Sequence, residues 1–450
     1  MKRTSNLALV KRGNLIQSPT DRLRLLLLLG VAVVGCALAV TFRIGWHGER
    51  RPEPRYLADS VQLSPPPPLP PPDESAAMDQ IRSLAPLRTA MQANGRSASH
   101  AAQFARASAA AGDLLEARGA YRSAIRLAPR PEADLAAGLG DAEQRLGQCR
   151  EAMAAYTQLV DRFPLDYRGY LGQSQVQELL GHRRDAVNAL DSARTGLPQD
   201  DIAGRLKVAE HFEAFGDLAR ALAEAEVIRA RAPDSAEAIL LTTHLYIKAE
   251  RPDRALPLLN ALLVQEPSNA RARYQLGVVL DSPLLPNRSS LLAEDALLTA
   301  VESSPSETPA YRRLTEMYEQ QRRVRQCAYA ALQLLALTPD SAEARLHLSY
   351  AYGHLGAGRD SAEQGRIAAA LLQRDRELTR LNTEIRQRPS DADARLAAGR
   401  HSLRYGRLLA ALEAFQAAYA VAPRNTSARR ELRAISERLR LPLPTGVLTE

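Results

Sequence analysis

The chain has 450 residues, of which 45% are hydrophobic and only 5% aromatic, with three cysteines and a formal net charge of +8. So few aromatic side chains favour helices packed through Ala and Leu over a large β core, and Cys36, Cys149 and Cys327 form no CxxC pair and no metal-binding spacing. The charge excludes a nucleic-acid partner rather than suggesting one. Ten basic and three acidic side chains within residues 1–55 account for seven of the eight charges, whereas a DNA or RNA footprint belongs on the folded domain. The heavy use of arginine over lysine reads as compositional bias.

Residues 1–24 form a basic tail, expected on the cytoplasmic side. Leu25–Phe42 then runs eighteen residues without a charge between Arg24 and Arg43. As a helix this run is about 27 Å long, enough for a bilayer core, so it reads as a transmembrane helix. Six basic residues before it set the expected orientation, a bacterial single-pass membrane protein with its N-terminus in the cytoplasm and the remainder extracytoplasmic. Val33–Cys36 also resembles a relaxed lipobox, which makes Cys36 a candidate lipidation site. Residues 43–75 read as a Pro-rich linker, because seven prolines surround Leu69 between positions 65 and 72. Polyproline II at that density makes a spacer of about 25 Å. Met78, Ile81, Leu84, Leu87 and Met91 then fall at helical spacing, marking a capping helix over 76–97 with Pro86 as a kink or break.

From here one unit recurs. In GDLLEARGAYRSAIRLAP, Gly112 is followed by Ala117, Tyr121, Ala124 and Pro129. The same register returns as Gly147, Ala152, Tyr156, Leu159 and Pro164, and again as Gly181, Ala186, Leu190, Ala193 and Pro198. Closing prolines continue at 233, 267, 305, 339, 389 and 423, mostly 34 or 35 residues apart. The Gly, Ala, aromatic and Pro pattern and its period resemble the tetratricopeptide repeat (TPR) family. That resemblance implies an all-α, right-handed superhelical solenoid of antiparallel helix pairs, with about nine repeats over 98–425. A helix over 426–440 would cap the C-terminal end, and 441–450 would be a loose tail. The family's first-helix Trp is missing, and Glu250 and Arg322 stand where the turn Gly belongs, so those turns are expected to differ in detail. Two spacings slip. The 38-residue step reflects an insertion at Asp281–Ser290. The 50-residue step, over 358–389, predicts an extended second helix or an extra one, whose surplus apolar face offers a homo-oligomer contact.

With these parts assigned, no stretch remains for a catalytic domain, and no P-loop, HExxH or GxSxG motif is present. The chain therefore reads as a non-enzyme without cofactor or metal. His347 and His354, two turns apart, are too distant to share an ion. In the resembled family the first helices line the concave face. Counting from each turn places Leu171, Leu206 and Leu240 there, one turn before Gln175, Glu210 and His244, with Tyr274 and Tyr350 on the same face of two later first helices. This strip suits an extended or helical peptide. The expected function is a membrane-tethered scaffold or adaptor in the cell envelope, binding partner proteins or peptides. The alternatives are a non-catalytic accessory subunit of an envelope enzyme or of a secretion or polysaccharide machine and, more remotely, an enzyme in its own right.

Overall fold

The computed structural model describes residues 65–68, 74–130 and 132–443, all within one compact unit that begins at Leu63. Every regular element among them is a helix. Two short helices, α1 (Glu74–Arg82) and α2 (Leu84–Ala93), come first. Nine helix pairs follow: α3 (Ala98–Ala110) with α4 (Leu114–Leu127), α5 (Ala133–Arg145) with α6 (Cys149–Arg162), and α7 (Tyr167–Leu179) with α8 (Arg183–Gly196). Next are α9 (Ile202–Ala214) with α10 (Leu218–Arg231), α11 (Ala236–Lys248) with α12 (Pro252–Gln265), and α13 (Ala270–Leu280) with α14 (Ser290–Ser303). The last three are α15 (Thr308–Gln320) with α16 (Val324–Leu337), α17 (Ala342–His354) with α18 (Gly358–Gln387), and α19 (Ala392–Arg404) with α20 (Leu408–Val421), after which α21 (Thr426–Leu439) ends the array. Each helix packs on its chain neighbours, as in a TPR solenoid.

The recurring residues act locally. In eight of the nine pairs the first helix ends in a left-handed residue, Gly112 in the first repeat, where the Asp113 N–H returns to the Ser108 carbonyl at 2.9 Å, closing a Schellman turn; the exception is α13, which runs into the Asp281–Ser290 insertion. Glu250 and Arg322 were expected to alter this turn and do not. They take the same left-handed backbone, with φ of 58° and 57°, and keep the same closing bond, Arg251 to Tyr246 and Arg323 to Tyr318, at 2.8 Å. The turn geometry is imposed by the repeat packing, and the two side chains carry its strain. The fourth residue of each second helix is small and mostly fully buried, as at Ala117, Ala152, Ala186 and Ala221. Glycines in the first helices make room for aromatic rings: a Cβ at Gly140 would lie 2.5 Å from the Tyr156 ring, and one at Gly399 would lie 2.4 Å from the Phe415 ring.

Whatever the origin of the Arg preference, several arginines have a structural task. Arg205, Arg273, Arg345, Arg395 and Arg429 each donate from a first helix, or from α21, to the carbonyl of the proline that closed the preceding repeat, at 2.8 to 3.3 Å. These carbonyls lie beyond the helix end and have no intrahelical donor, so the guanidinium satisfies them and fixes one repeat on the next.

The array also closes on itself. Helix α20 packs against α4 and α1, and α21 packs against α1. One continuous core holds Phe104, Leu114 and Leu135 from the start of the array together with Leu412, Phe415 and Leu432 from its end. Gln416, 2% exposed, accepts from the N–H groups of Leu114 and Leu115 at 2.7 and 3.3 Å and donates to the Asp113 carboxylate at 2.9 Å. A side chain of the ninth repeat thus caps a helix N-terminus of the first, where Asp113 makes no cap bond of its own. Arg145 clamps Glu413 through two bonds of 3.0 and 2.8 Å, and Gln148 donates to the Ala420 carbonyl at 2.6 Å.

Several expectations change accordingly. Residues 74–93 make two helices, the break expected at Pro86 falling at Ser83. These helices and α21 do not cover open ends; they form the seam. Pro67 accepts from the buried Arg345 at 3.0 Å, so residues 65–68 lie against the repeats instead of standing as a bare spacer. The 50-residue step is one 30-residue helix, α18. The expected single-pass membrane localisation is overturned: no helix of the described residues is long and apolar enough to cross a membrane. Leu25–Phe42, on which that expectation rested, and Cys36 lie outside the described residues.

Candidate functional site

The first helices of successive pairs lie side by side, and their ninth positions, Gln175, Glu210, His244 and Tyr350, are part-exposed. Leu171, Leu206 and Leu240, predicted to line the groove, do not offer an accessible apolar strip. They are 6%, 4% and 8% exposed and pack between helices, because the following first helix covers this position. Tyr274, at the same position of α13, stays part-exposed.

Polar side chains cross from one first helix to the next. Gln144 donates to Gln175 at 3.1 Å, and Gln175 meets the His211 ring at 2.9 Å. Glu213 takes hydrogen bonds from His244 at 3.0 Å and from Lys248. Although burial works in the opposite direction, these two donors hold the Glu213 carboxyl below its ordinary range. This face is bonded within itself across the second to fifth repeats.

A formed recess lies further along, where the register slips. A pocket of about 530 Å³ is lined by Ile247, Tyr274, Val278, Leu284, Arg312 and Glu316, among others. Tyr274 and Val278 form its apolar floor, and burial raises the Tyr274 phenol above its ordinary pKa. The Asp281–Ser290 insertion supplies one wall and is pinned by Asp281, which is 3% exposed. That carboxylate accepts from Arg288 at 2.9 Å, Arg313 at 2.6 Å and Ser290 at 3.2 Å. Leu284, 55% exposed, stands at the rim. An apolar recess with a charged rim can take one apolar side chain of a peptide and orient its backbone. The sequence located Tyr274 and the insertion separately; their meeting depends on the stacking of α11, α13 and α15.

A second grouping was missed. Glu319 on α15, Cys327 on α16 and His347 on α17 place one ligand-type atom each within 4.8 Å of one another. Glu319 and His347 Nδ1 are hydrogen-bonded. Cys327 is fully buried with its thiol towards the His347 carbonyl, 4.0 Å away, and burial, reinforced by the Glu319 charge, pushes it up to about 12. His354 takes no part, since its ring bonds the Tyr350 carbonyl at 2.9 Å.

A family model described as "tetratricopeptide repeat" matches residues 137–200 and 243–282. No curated protein matches the sequence. Among solved structures, a tetratricopeptide repeat protein from Parabacteroides merdae is 14% identical, with a TM-score of 0.42 over 56% of this chain and 98% of that one. Human IFIT1, solved as a dimer with PPP-AAAA, is 16% identical over 79% of this chain and 96% of that one, at a TM-score of 0.39. MamA from Desulfovibrio magneticus is 21% identical over 39% and 96%, at 0.31.

Proposed function

We propose that this tetratricopeptide-repeat protein is a protein-interaction scaffold that holds a peptide segment of its partner on the concave face, with the recess at Tyr274 as the anchoring point. The observation that carries this is the pocket itself: it is the place on that face where apolar floor, charged rim and an inserted wall come together. Elsewhere the corresponding leucines are buried; polar groups are paired in both places, Arg312 with Glu343 and Glu316 with Arg313 at the recess, so what sets the recess apart is its open apolar lining. The anchor is a large apolar side chain, and the flanking peptide dipoles face Arg312 and Glu316.

A photo-crosslinking residue placed at Tyr274 in cells tests this, with Val264 on α12, 82% exposed, as the control position. A defined partner captured from Tyr274 and lost on Val278→Arg is the expected result. Equal capture from both positions refutes the recess as the binding site.

A further inference from the structure

Nine second helices carry a small residue at their fourth position. It is Ala at 117, 152, 186, 221, 255, 293 and 411, Ser at 361, and Cys at 327. The slot packs well with a methyl group, so the thiol of Cys327 is not required by the repeat. The sixth residue of α17 is His347, at a position that is polar in half of the other first helices (Gln103, Lys207, Gln275 and Arg313) but a metal-ligating histidine only here, and it is hydrogen-bonded to Glu319 on the preceding first helix. Three consecutive helices therefore converge a sulfur, an imidazole nitrogen and a carboxylate oxygen with no separation above 4.8 Å.

We propose that Glu319, Cys327 and His347 are a binding site for a borderline-soft divalent cation of the zinc class, clipping the seventh repeat to the eighth. Sulfur, nitrogen and oxygen donors together suit Zn²⁺ or Co²⁺ and disfavour Mg²⁺ and Ca²⁺. Tetrahedral bonds of about 2.0 to 2.3 Å put ligand atoms about 3.4 Å apart. The sulfur need approach by little more than 1 Å, while His347 and Glu319 part to admit the ion. On binding, His347 moves its proton from Nδ1 to Nε2 and Cys327 loses its thiol proton to solvent, one proton per ion. The side chains of His347 and Glu319 are 18% and 34% exposed, which gives an entry path and leaves the fourth position to water. The recess at Tyr274 is a separate place, so the two proposals stand or fall independently.

The test is titration of the full chain with Co²⁺ alone, reading the thiolate-to-cobalt charge-transfer band, followed by displacement with Zn²⁺. Cys327→Ala installs the residue that seven other repeats carry and so preserves the fold, which circular dichroism checks. It should abolish the band and weaken binding by more than about 100-fold. His347→Gln should weaken binding similarly while altering rather than removing the band, and Cys149→Ala should change neither. Stoichiometric Zn²⁺ should slow amide exchange in α15 to α17 in the wild type only. A folded wild type that shows no band, or a band that survives Cys327→Ala, overturns the proposal.

Discussion

Replacement of Gln416 by Ala isolates the bond set that closes the array. In the intact seam its Oε1 serves the Leu114 and Leu115 N–H groups at 2.7 and 3.3 Å, and its Nε2 serves Asp113 at 2.9 Å. Leu114 and Asp113 are 0% and 3% exposed, so truncation strands donors and a carboxylate away from water. Each stranded group costs about 1–3 kcal/mol, and loss of a helix cap alone costs about 1 kcal/mol. Allowing for a water molecule in the space vacated, the closed seam should lose about 3 kcal/mol, which is roughly 100-fold in the opening equilibrium. Native-state hydrogen exchange reads this directly, because the amides of Leu114 and Leu115 exchange when the seam opens. Both should exchange roughly 100-fold faster, whereas the Leu245 amide in α11, remote from the seam, should be unchanged. If Leu114 exchanges less than about threefold faster, the apolar core closes the array without help and the capping role is wrong.

Asp113 makes the same seam sensitive to pH. Burial, offset in part by the Gln416 bond and by Arg88 at 3.7 Å, raises its carboxyl from 3.8 to about 6. A carboxyl with a raised pKa binds its proton more tightly when the seam is closed, so its contribution to closure is complete below about pH 4 and is lost as the pH rises through about 6. Opening free energies from exchange at pH 5 should exceed those at pH 7.5, and Asp113→Asn should flatten that difference; an unchanged slope in the variant refutes the assignment. Glu250→Gly and Arg322→Gly should each raise stability by about 0.5–1 kcal/mol in urea melts, because glycine removes left-handed strain of about 1–2 kcal/mol and returns part of it as chain entropy. Gly216→Ala, at a φ of 76°, should act in the opposite sense, and equal effects at both kinds of turn would disprove the strain argument.

The helix pairs were readable from single residues because their causes are local. A small residue at a fixed place, a left-handed turn, and a proline that halts a helix all act within one repeat. Even the error over Glu250 and Arg322 has a local origin: one left-handed residue costs less than the packing gained on both sides. The candidate site was half readable. Periodicity placed Tyr274 and the insertion, but it assigned Leu171, Leu206 and Leu240 to the groove because spacing along one helix says nothing about the helix lying over it.

The seam had no signal in the chain at all. Gln416 and Asp113 lie 303 residues apart, and they meet only because small rotations between successive repeats add up until the ninth pair reaches the first. No individual spacing encodes that sum. The Glu319, Cys327 and His347 cluster escaped for the same reason on a smaller scale, since its members sit on three helices and converge through packing alone. Local spacing thus specified what each repeat is, and the accumulated geometry of the stack specified which distant repeats touch and what their side chains can do together.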